Sequence, residues 1–169
     1  MYQIAIYYWQ SPVGELILGS YDEKLCLADW RYRKQRERVD RRLQKALKAE
    51  YVESTSRVIE ETIVQLEEYF AKKRKDFDIP LLLAGTDFQK SVWEGLMQIP
   101  YGTVTSYLDL AKSIGNAKAV RAVASANGAN AISILIPCHR VVGSDGMLTG
   151  YAGGLDVKEK LLSLENSNT

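Results

Sequence analysis

The sequence predicts a two-part chain. An α+β N-terminal domain, residues 1–84, is built on a three-stranded antiparallel sheet with helices, and a mostly helical C-terminal domain, residues 85–169, contains a helix-turn-helix. Three observations predict this. Apolar and polar residues alternate from the N-terminus to Trp30, with turn residues at regular intervals. Two stretches with apolar residues at helical spacing follow. Beyond Gly85 the helical spacing resumes, and two short helices meet at a glycine-containing turn.

In the first strand Ile4, Ile6 and Tyr8 alternate with Gln3, Ala5 and Tyr7. Ser11-Pro12-Val13-Gly14 supplies a turn before Leu16-Ile17-Leu18, and Tyr21-Asp22-Glu23-Lys24 a second turn before Leu25 to Trp30. Cys26 falls mid-strand with no basic or imidazole neighbour, so it reads as a small buried hydrophobe rather than a reactive thiol.

From Arg31 to Ala49 nine basic residues face only Glu37 and Asp40, while Val39, Leu43, Ala46 and Leu47 recur at helical spacing. The preferred reading is a solvated charged face over an apolar stripe, with contact to DNA as the alternative. A second helix starts near Ser54-Thr55-Ser56 and carries Ile59, Ile63, Leu66 and Phe70 on one face. Lys72-Lys73-Arg74-Lys75 at its C-terminal end would complement the helix dipole. The pattern lapses between Asp76 and Gly85, which marks the domain boundary.

Thr86 with Gln89 three residues on forms a capping box that opens a helix through Phe88, Val92 and Leu96, ending before Pro100. Thr105-Ser106 starts a helix bearing Tyr107, Leu108 and Ala111 that stops at Gly115. Asn116 is expected to cap the next, which bears Ala119, Val120, Val123 and Ala124. The small residues Ala119, Ala122, Ala124 and Ala126 would admit a nucleic acid backbone, with Arg121 the one long cation among them. A helical hairpin that binds nothing shows the same pattern. After Asn130 the run Ile132 to Ile136 reads as a buried strand-like segment that delivers Pro137-Cys138-His139-Arg140 from the interior.

Composition sets outer limits. A chain of 169 residues holds one ordinary domain or two small ones, and 46% hydrophobic with 25% charged residues is ordinary for a folded, soluble protein. The longest apolar runs fall far short of the roughly 20 residues needed to cross a bilayer. The first residues carry no basic leader, so no secretory signal is expected, and the protein is placed in the cytoplasm, or in the nucleus if its source is a eukaryote. Two cysteines do not make a disulfide framework. A net charge of +1 means that any DNA-binding surface is local.

Cys138 and His139, the only histidine, are the candidate reactive pair. A thiol becomes a strong nucleophile as thiolate, which a neighbouring imidazole promotes. For an isolated Cys-His pair the preferred reading is passive packing of Cys138 beside an exposed loop histidine.

The match is longer than a pair. Pro137-Cys138-His139-Arg140-Val141-Val142 resembles the hexapeptide signature of the O6-alkylguanine-DNA alkyltransferase family, and the similarity covers most of residues 86–165. Ile99-Pro100-Tyr101-Gly102, Thr105-Ser106-Tyr107, Lys118 to Val123, Asn130, Gly150 to Leu155 and Lys158 to Glu165 stand in the family's order. The resemblance implies a small α/β, ribonuclease H-like domain before a helical catalytic domain. It also implies DNA repair by one irreversible transfer of a methyl or alkyl group from O6-alkylguanine, and from O4-alkylthymine, to Cys138. On this resemblance His139 acts through a water as base for Cys138, Glu165 orients His139, and Tyr107 helps to extrude the nucleotide and protonates the leaving guanine. Arg121, with Ala119, contacts DNA and fills the gap left by the extruded base. Asn130 ties the recognition helix to the active-site segment, and Val141, Tyr151 and Ala152 line the base pocket. Ala152 stands where relatives often carry serine, and Asn127 and Gly128 also depart from some members.

The implied partner is double-stranded DNA containing O6-alkylguanine, with no membrane and a monomer as the default state. No cofactor is expected, and no zinc either, since beyond the nucleophile only Cys26 and His139 remain as nitrogen or sulfur ligands. Two other classes stay open: a DNA-binding regulator in which Cys138 is incidental, and a cysteine hydrolase using Cys138, His139 and Glu165. Some non-enzymatic relatives lack the acceptor cysteine, which is present here.

Overall fold

The computed structural model describes residues 2–166, and the chain divides into two compact units, Met1–Gly85 and Thr86–Thr169. In the first unit the alternation of Ile4 and Ile6 becomes strand β1, Tyr2–Ser11, which pairs antiparallel with β2, Gly14–Tyr21. β2 pairs antiparallel with β3, Lys24–Trp30. The predicted polar turn is built by Asp22 and Glu23, both with positive φ, the backbone of a tight hairpin. The pairing of β2 with β3 shifts at Gly19, where a Cβ would meet Leu27 at 2.9 Å; that close approach needs glycine.

The sheet has four strands, in the order β3-β2-β1-β4, which corrects the three-stranded expectation. Helix α1, Arg36–Leu47, buries Val39 and Leu43 and carries the chain across to β4, Ala49–Glu53, which lies parallel to β1. A parallel neighbour requires such a crossover. Two features hid β4 in the sequence. The helix ends at Lys48, a non-glycine residue with φ of 50°, so no glycine stop marks it. The strand is only five residues long and has glutamates at Glu50 and Glu53.

Helix α2, Arg57–Phe70, is capped by Ser56, whose hydroxyl accepts from Ile59 N at 3.2 Å. Its buried face is Val58, Ile59, Thr62, Leu66 and Tyr69, one step away from the stripe expected through Ile63 and Phe70. The basic run lies beyond the helix, whose last turn holds no cation; Arg74 instead folds back onto Glu68 at 3.0 Å. Backbone bonds from Leu25 N to Pro80 O and from Leu82 N to Leu25 O then cover the outer edge of β3. Cys26 is buried in this unit, and desolvation pushes its thiol up to about 12, the inert state expected of a core cysteine.

In the second unit, helix α3, Asp87–Leu96, opens on the predicted capping box, with both reciprocal Thr86–Gln89 bonds present. Strand β5, Thr105–Ser106, runs into helix α4, Tyr107–Ser113, capped by the Ser106 hydroxyl. Helix α5, Val120–Gly128, follows. Its N-cap is Ala119, without a side-chain cap, and Asn116 contributes only its carbonyl to Ala119 N, which corrects the cap expected at Asn116.

The stretch Ile132–Ile136 is buried as expected but is not a strand. Ser133 and Ile136 form one isolated bridge around a tight turn in which Ile134 takes a φ of 72°. Cys138–Arg140 form a single 3-10 turn, followed by strand β6, Val141–Val142, parallel to β5, and later by helix α6, Leu155–Asn166. Among the described residues no helix is long and apolar enough to cross a membrane.

Candidate active site

The site is built by short elements from four parts of the second unit. The two-residue β5–β6 pair sets Thr105 beside Val141 and Ser106 beside Val142, so Tyr107 is carried next to the segment that follows Cys138. The turn at Ile134 puts a β-branched residue in the left-handed region, a conformation that persists only when its surroundings enforce it. Asn130 is that brace: its Nδ2 donates to the carbonyls of Ile136 at 2.9 Å and Ile132 at 3.3 Å, and its Oδ1 accepts from Ile132 N at 3.0 Å. These bonds orient the backbone that enters Pro137-Cys138, so Asn130 shapes the site from behind.

Helix α6 supplies the charge. Lys158, Leu161 and Glu165 are its buried residues, spaced three and four apart and therefore on one stripe. Glu165 Oε2 lies 2.6 Å from His139 Nε2. Arg140 donates from Nε to Oε1 at 2.8 Å and from Nη2 to Oε2 at 3.1 Å, and from Nη1 to the Ile99 carbonyl at 2.7 Å. Gly102 N donates to Oε1 at 3.4 Å, and Arg140 lies 5.7 Å from the Tyr101 ring centre. Gly102 has a φ of 79°, and a side chain there would press on the Glu165 carbonyl at 3.3 Å. The Ile99-Pro100-Tyr101-Gly102 run thus forms the wall against which the carboxylate is held.

His139 is fully buried. Burial pushes its pKa below the usual imidazole range, and Arg140 and Lys158 push the same way, while the hydrogen bond and charge of Glu165 oppose them. The ring is therefore neutral near pH 7. Because the Glu165 carboxylate accepts, the ring proton sits on Nε2, and Nδ1 is left as an acceptor with no hydrogen-bond partner among the described residues. Cys138, adjacent and 4% exposed, is outside any disulfide. A neutral imidazole with an unused lone pair, on the residue next in sequence to a buried thiol, has the chemistry to accept a proton.

The remaining predicted residues divide into two groups. Tyr107, the first residue of α4, is half-buried, and its hydroxyl accepts from Thr149 Oγ1 at 3.5 Å, which brings it to the loop that precedes Tyr151 and Ala152. Val141 is buried, while Tyr151 and Ala152 are half-buried. Arg121 is exposed on the first turn of α5 with no hydrogen bond or ion pair among the described residues, and Ala119 is the half-buried cap of that helix; neither contacts the Glu165 cluster. Two participants were not assigned roles in advance. Arg140 was visible only as part of a motif. Lys158 is fully buried, and its sequence signal was a lysine in helical register with Leu161 and Glu165. Among the described residues no group of three or more His, Cys, Asp or Glu side chains converges to hold a metal ion.

Two family models match. The 6-O-methylguanine DNA methyltransferase, DNA binding domain, matches residues 87–167, and the ribonuclease-like domain of the same proteins matches residues 4–83. The methylated-DNA–protein-cysteine methyltransferase of Methanosarcina barkeri is 46% identical over 159 residues, covering 94% of this chain and 95% of its own. The constitutive protein of that name from Bacillus subtilis is 41% identical over 157 residues, covering 92% of each. A crystal structure of Mycobacterium tuberculosis OGT in complex with DNA superposes with a TM-score of 0.80 at 36% identity, covering 97% of this chain and 92% of that one.

Proposed function

The chain belongs to the 6-O-methylguanine DNA methyltransferase family, and from that premise we propose that it repairs DNA by moving an alkyl group from O6 of guanine, or O4 of thymine, onto Cys138, once per molecule. The observation that carries this reading is the buried Cys138-His139-Glu165 arrangement with His139 Nδ1 unbonded.

His139 takes the thiol proton through one water, and Glu165 steadies the imidazolium that results. The sulfur attacks the alkyl carbon; the carbon–sulfur bond forms as the carbon–O6 bond breaks, and its electron pair leaves with guanine. Tyr107 supplies a proton to the guanine ring at N3 and regains one from solvent, while the His139 imidazolium gives its proton back to solvent, so the net result is one proton moved from the thiol to guanine. A thioether has no easy hydrolytic exit, so Cys138 is consumed and the protein stops after one turnover.

The lesion reaches a buried sulfur only if the nucleotide leaves the stack, at a cost of a few kcal/mol that is smaller for a mispaired base. Helices α4 and α5 act as a helix-turn-helix, with Ala119 at the DNA backbone and Arg121 entering the minor groove to replace the extruded base. Val141, Tyr151 and Ala152 line the pocket. Ala152 has no hydroxyl, so its backbone N–H is the group left to meet O6. The protein acts as a monomer, without cofactor, in the compartment that holds the genome.

The test is to mix the protein with excess duplex containing O6-methylguanine and to weigh the peptide that contains Cys138. One methyl per protein is expected, with Cys138→Ser taking none yet still binding the duplex. A DNA-binding regulator would leave Cys138 unmodified, a hydrolase would turn over repeatedly, and either result overturns the reading.

A further inference from the structure

A lysine with no exposed surface is costly unless every donor is used, and Lys158 uses all three on backbone carbonyls. Its Nζ donates to Val141 O at 2.6 Å, Thr149 O at 2.6 Å and Gly150 O at 3.4 Å. No carboxylate among the described residues lies within ion-pair distance. The three carbonyls come from the two ends of one loop: Val141 follows the Cys138–Arg140 turn, and Thr149-Gly150 leads into Tyr151-Ala152. Between them Ser144 to Met147 are exposed, and the loop's own bonds are short-range: Gly143 N to Met147 O and Gly146 N to Gly143 O, both at 2.9 Å, and Met147 N to Asp145 Oδ1 at 3.0 Å. None of these bonds, nor that of Thr149 Oγ1 to the Tyr107 hydroxyl, joins the two ends of the loop to helix α6; Lys158 does.

We propose that Lys158 is a positioning residue for the transfer: its ammonium staples the two ends of the base-lining loop, Val141 and Thr149-Gly150, to helix α6 beside the reacting sulfur. The proposal rests on the alkyl-transfer reading of Cys138. Helix α6 then holds the site at two points two turns apart, Glu165 fixing the base and Lys158 fixing the pocket. Desolvation pushes the pKa of Lys158 below the usual lysine range, and the charge of Cys138 opposes that shift. The charged groups that act on the neighbouring His139 are Glu165, Arg140 and Lys158, of which Arg140 and Glu165 already pair with each other. Lys158 has no carboxylate within ion-pair distance among the described residues, so its charge is available to a Cys138 thiolate.

The test compares wild type, Lys158→Met and Lys158→Arg in three assays, two of which contain no DNA. In Lys158→Met, chymotrypsin is expected to cut within residues 143–151 about ten-fold faster than in wild type, since cleavage follows the population of the open loop. The pH profile of Cys138 alkylation by iodoacetamide is expected to move to higher pH in Lys158→Met and to return toward wild type in Lys158→Arg. A structural lysine remote from the sulfur would not move that profile. Single-turnover transfer from O6-methylguanine duplex is expected to slow about ten-fold or more in Lys158→Met, in limiting rate rather than in DNA affinity. Wild-type cleavage rate together with an unmoved profile in Lys158→Met overturns the proposal. Failure of wild type to accept a methyl overturns the alkyl-transfer reading instead, and the two DNA-free assays separate these failures. Should Lys158→Met not fold, the ammonium resonance of Lys158 in nitrogen-15-labelled wild type decides: slow exchange with solvent is expected, and exchange at the free-lysine rate overturns the staple.

Discussion

Glu165 Oε2 lies 2.6 Å from His139 Nε2, and the carboxylate that holds the imidazole is itself held by the residue next to it in sequence, Arg140. The carboxylate is therefore an oriented acceptor whose position does not depend on the histidine. Glu165→Gln is expected to fold yet to transfer methyl at least about a hundred-fold more slowly, because an amide at this position no longer fixes the proton on Nε2. Arg140→Met removes one partner of a buried pair and is expected to lower unfolding free energy by about 3 to 5 kcal/mol. Urea denaturation and single-turnover kinetics check the two together. A Glu165→Gln protein with wild-type rate would remove Glu165 from the relay.

The buried imidazole makes stability depend on pH. Burial pushes His139 below the value it has when unfolded, so between those two values the unfolded chain binds more protons. Stability from this group is fully present above the ordinary imidazole range and is lost as pH falls through the lower, folded-state value. Urea midpoints measured from pH 7 down to pH 5 are expected to fall, with His139 contributing at most about 1.4 kcal/mol per pH unit. His139→Gln is expected to flatten that slope, and equal slopes in the two proteins would contradict the assignment.

Asn130 makes three hydrogen bonds to the backbone that carries the left-handed Ile134 and leads to Cys138. Asn130→Ala leaves the Ile132 amide and the Ile132 and Ile136 carbonyls buried without this partner, an expected loss of about 3 kcal/mol. Transfer should slow as well, since the turn that delivers the sulfur relaxes. An alanine variant with unchanged melting temperature would show that the turn holds itself.

The Arg121 side chain is exposed and has no hydrogen-bond or ion-pair partner among the described residues, as a residue kept for an external ligand would be. Arg121→Ala is expected to slow repair of duplex DNA about ten-fold or more while reaction with free O6-alkylguanine stays within about two-fold of wild type. Parallel loss on both substrates would mean that the arginine supports the fold of α5 rather than the extrusion of the base.

How far these features were legible follows from where their information sits. The Thr86–Gln89 capping box, the turn at Asp22-Glu23 and the Ser106 cap were readable because the residues that make them lie within three positions of one another. Strand β4 was missed because its pairing is parallel and distant, with Tyr2 opposite Ala49, so nothing local to Ala49–Glu53 announces it. The buried run before Cys138 was recognised by its hydrophobicity, yet its tight turn was not, since no propensity rule places an isoleucine in the left-handed region.

By itself the sequence determined the alternation of the sheet, the capped helices and the hexapeptide Pro137–Val142, because local bonding and side-chain period are written in neighbouring residues. Only the tertiary structure decided that Lys158 is buried with its ammonium on backbone carbonyls, that Arg140 and His139 share Glu165, and that β5 delivers Tyr107 beside β6. The reason is desolvation. Whether a charged side chain is a solvated ornament or a fixed part of a site depends on which distant elements exclude water from it, and that exclusion exists only once the chain has folded.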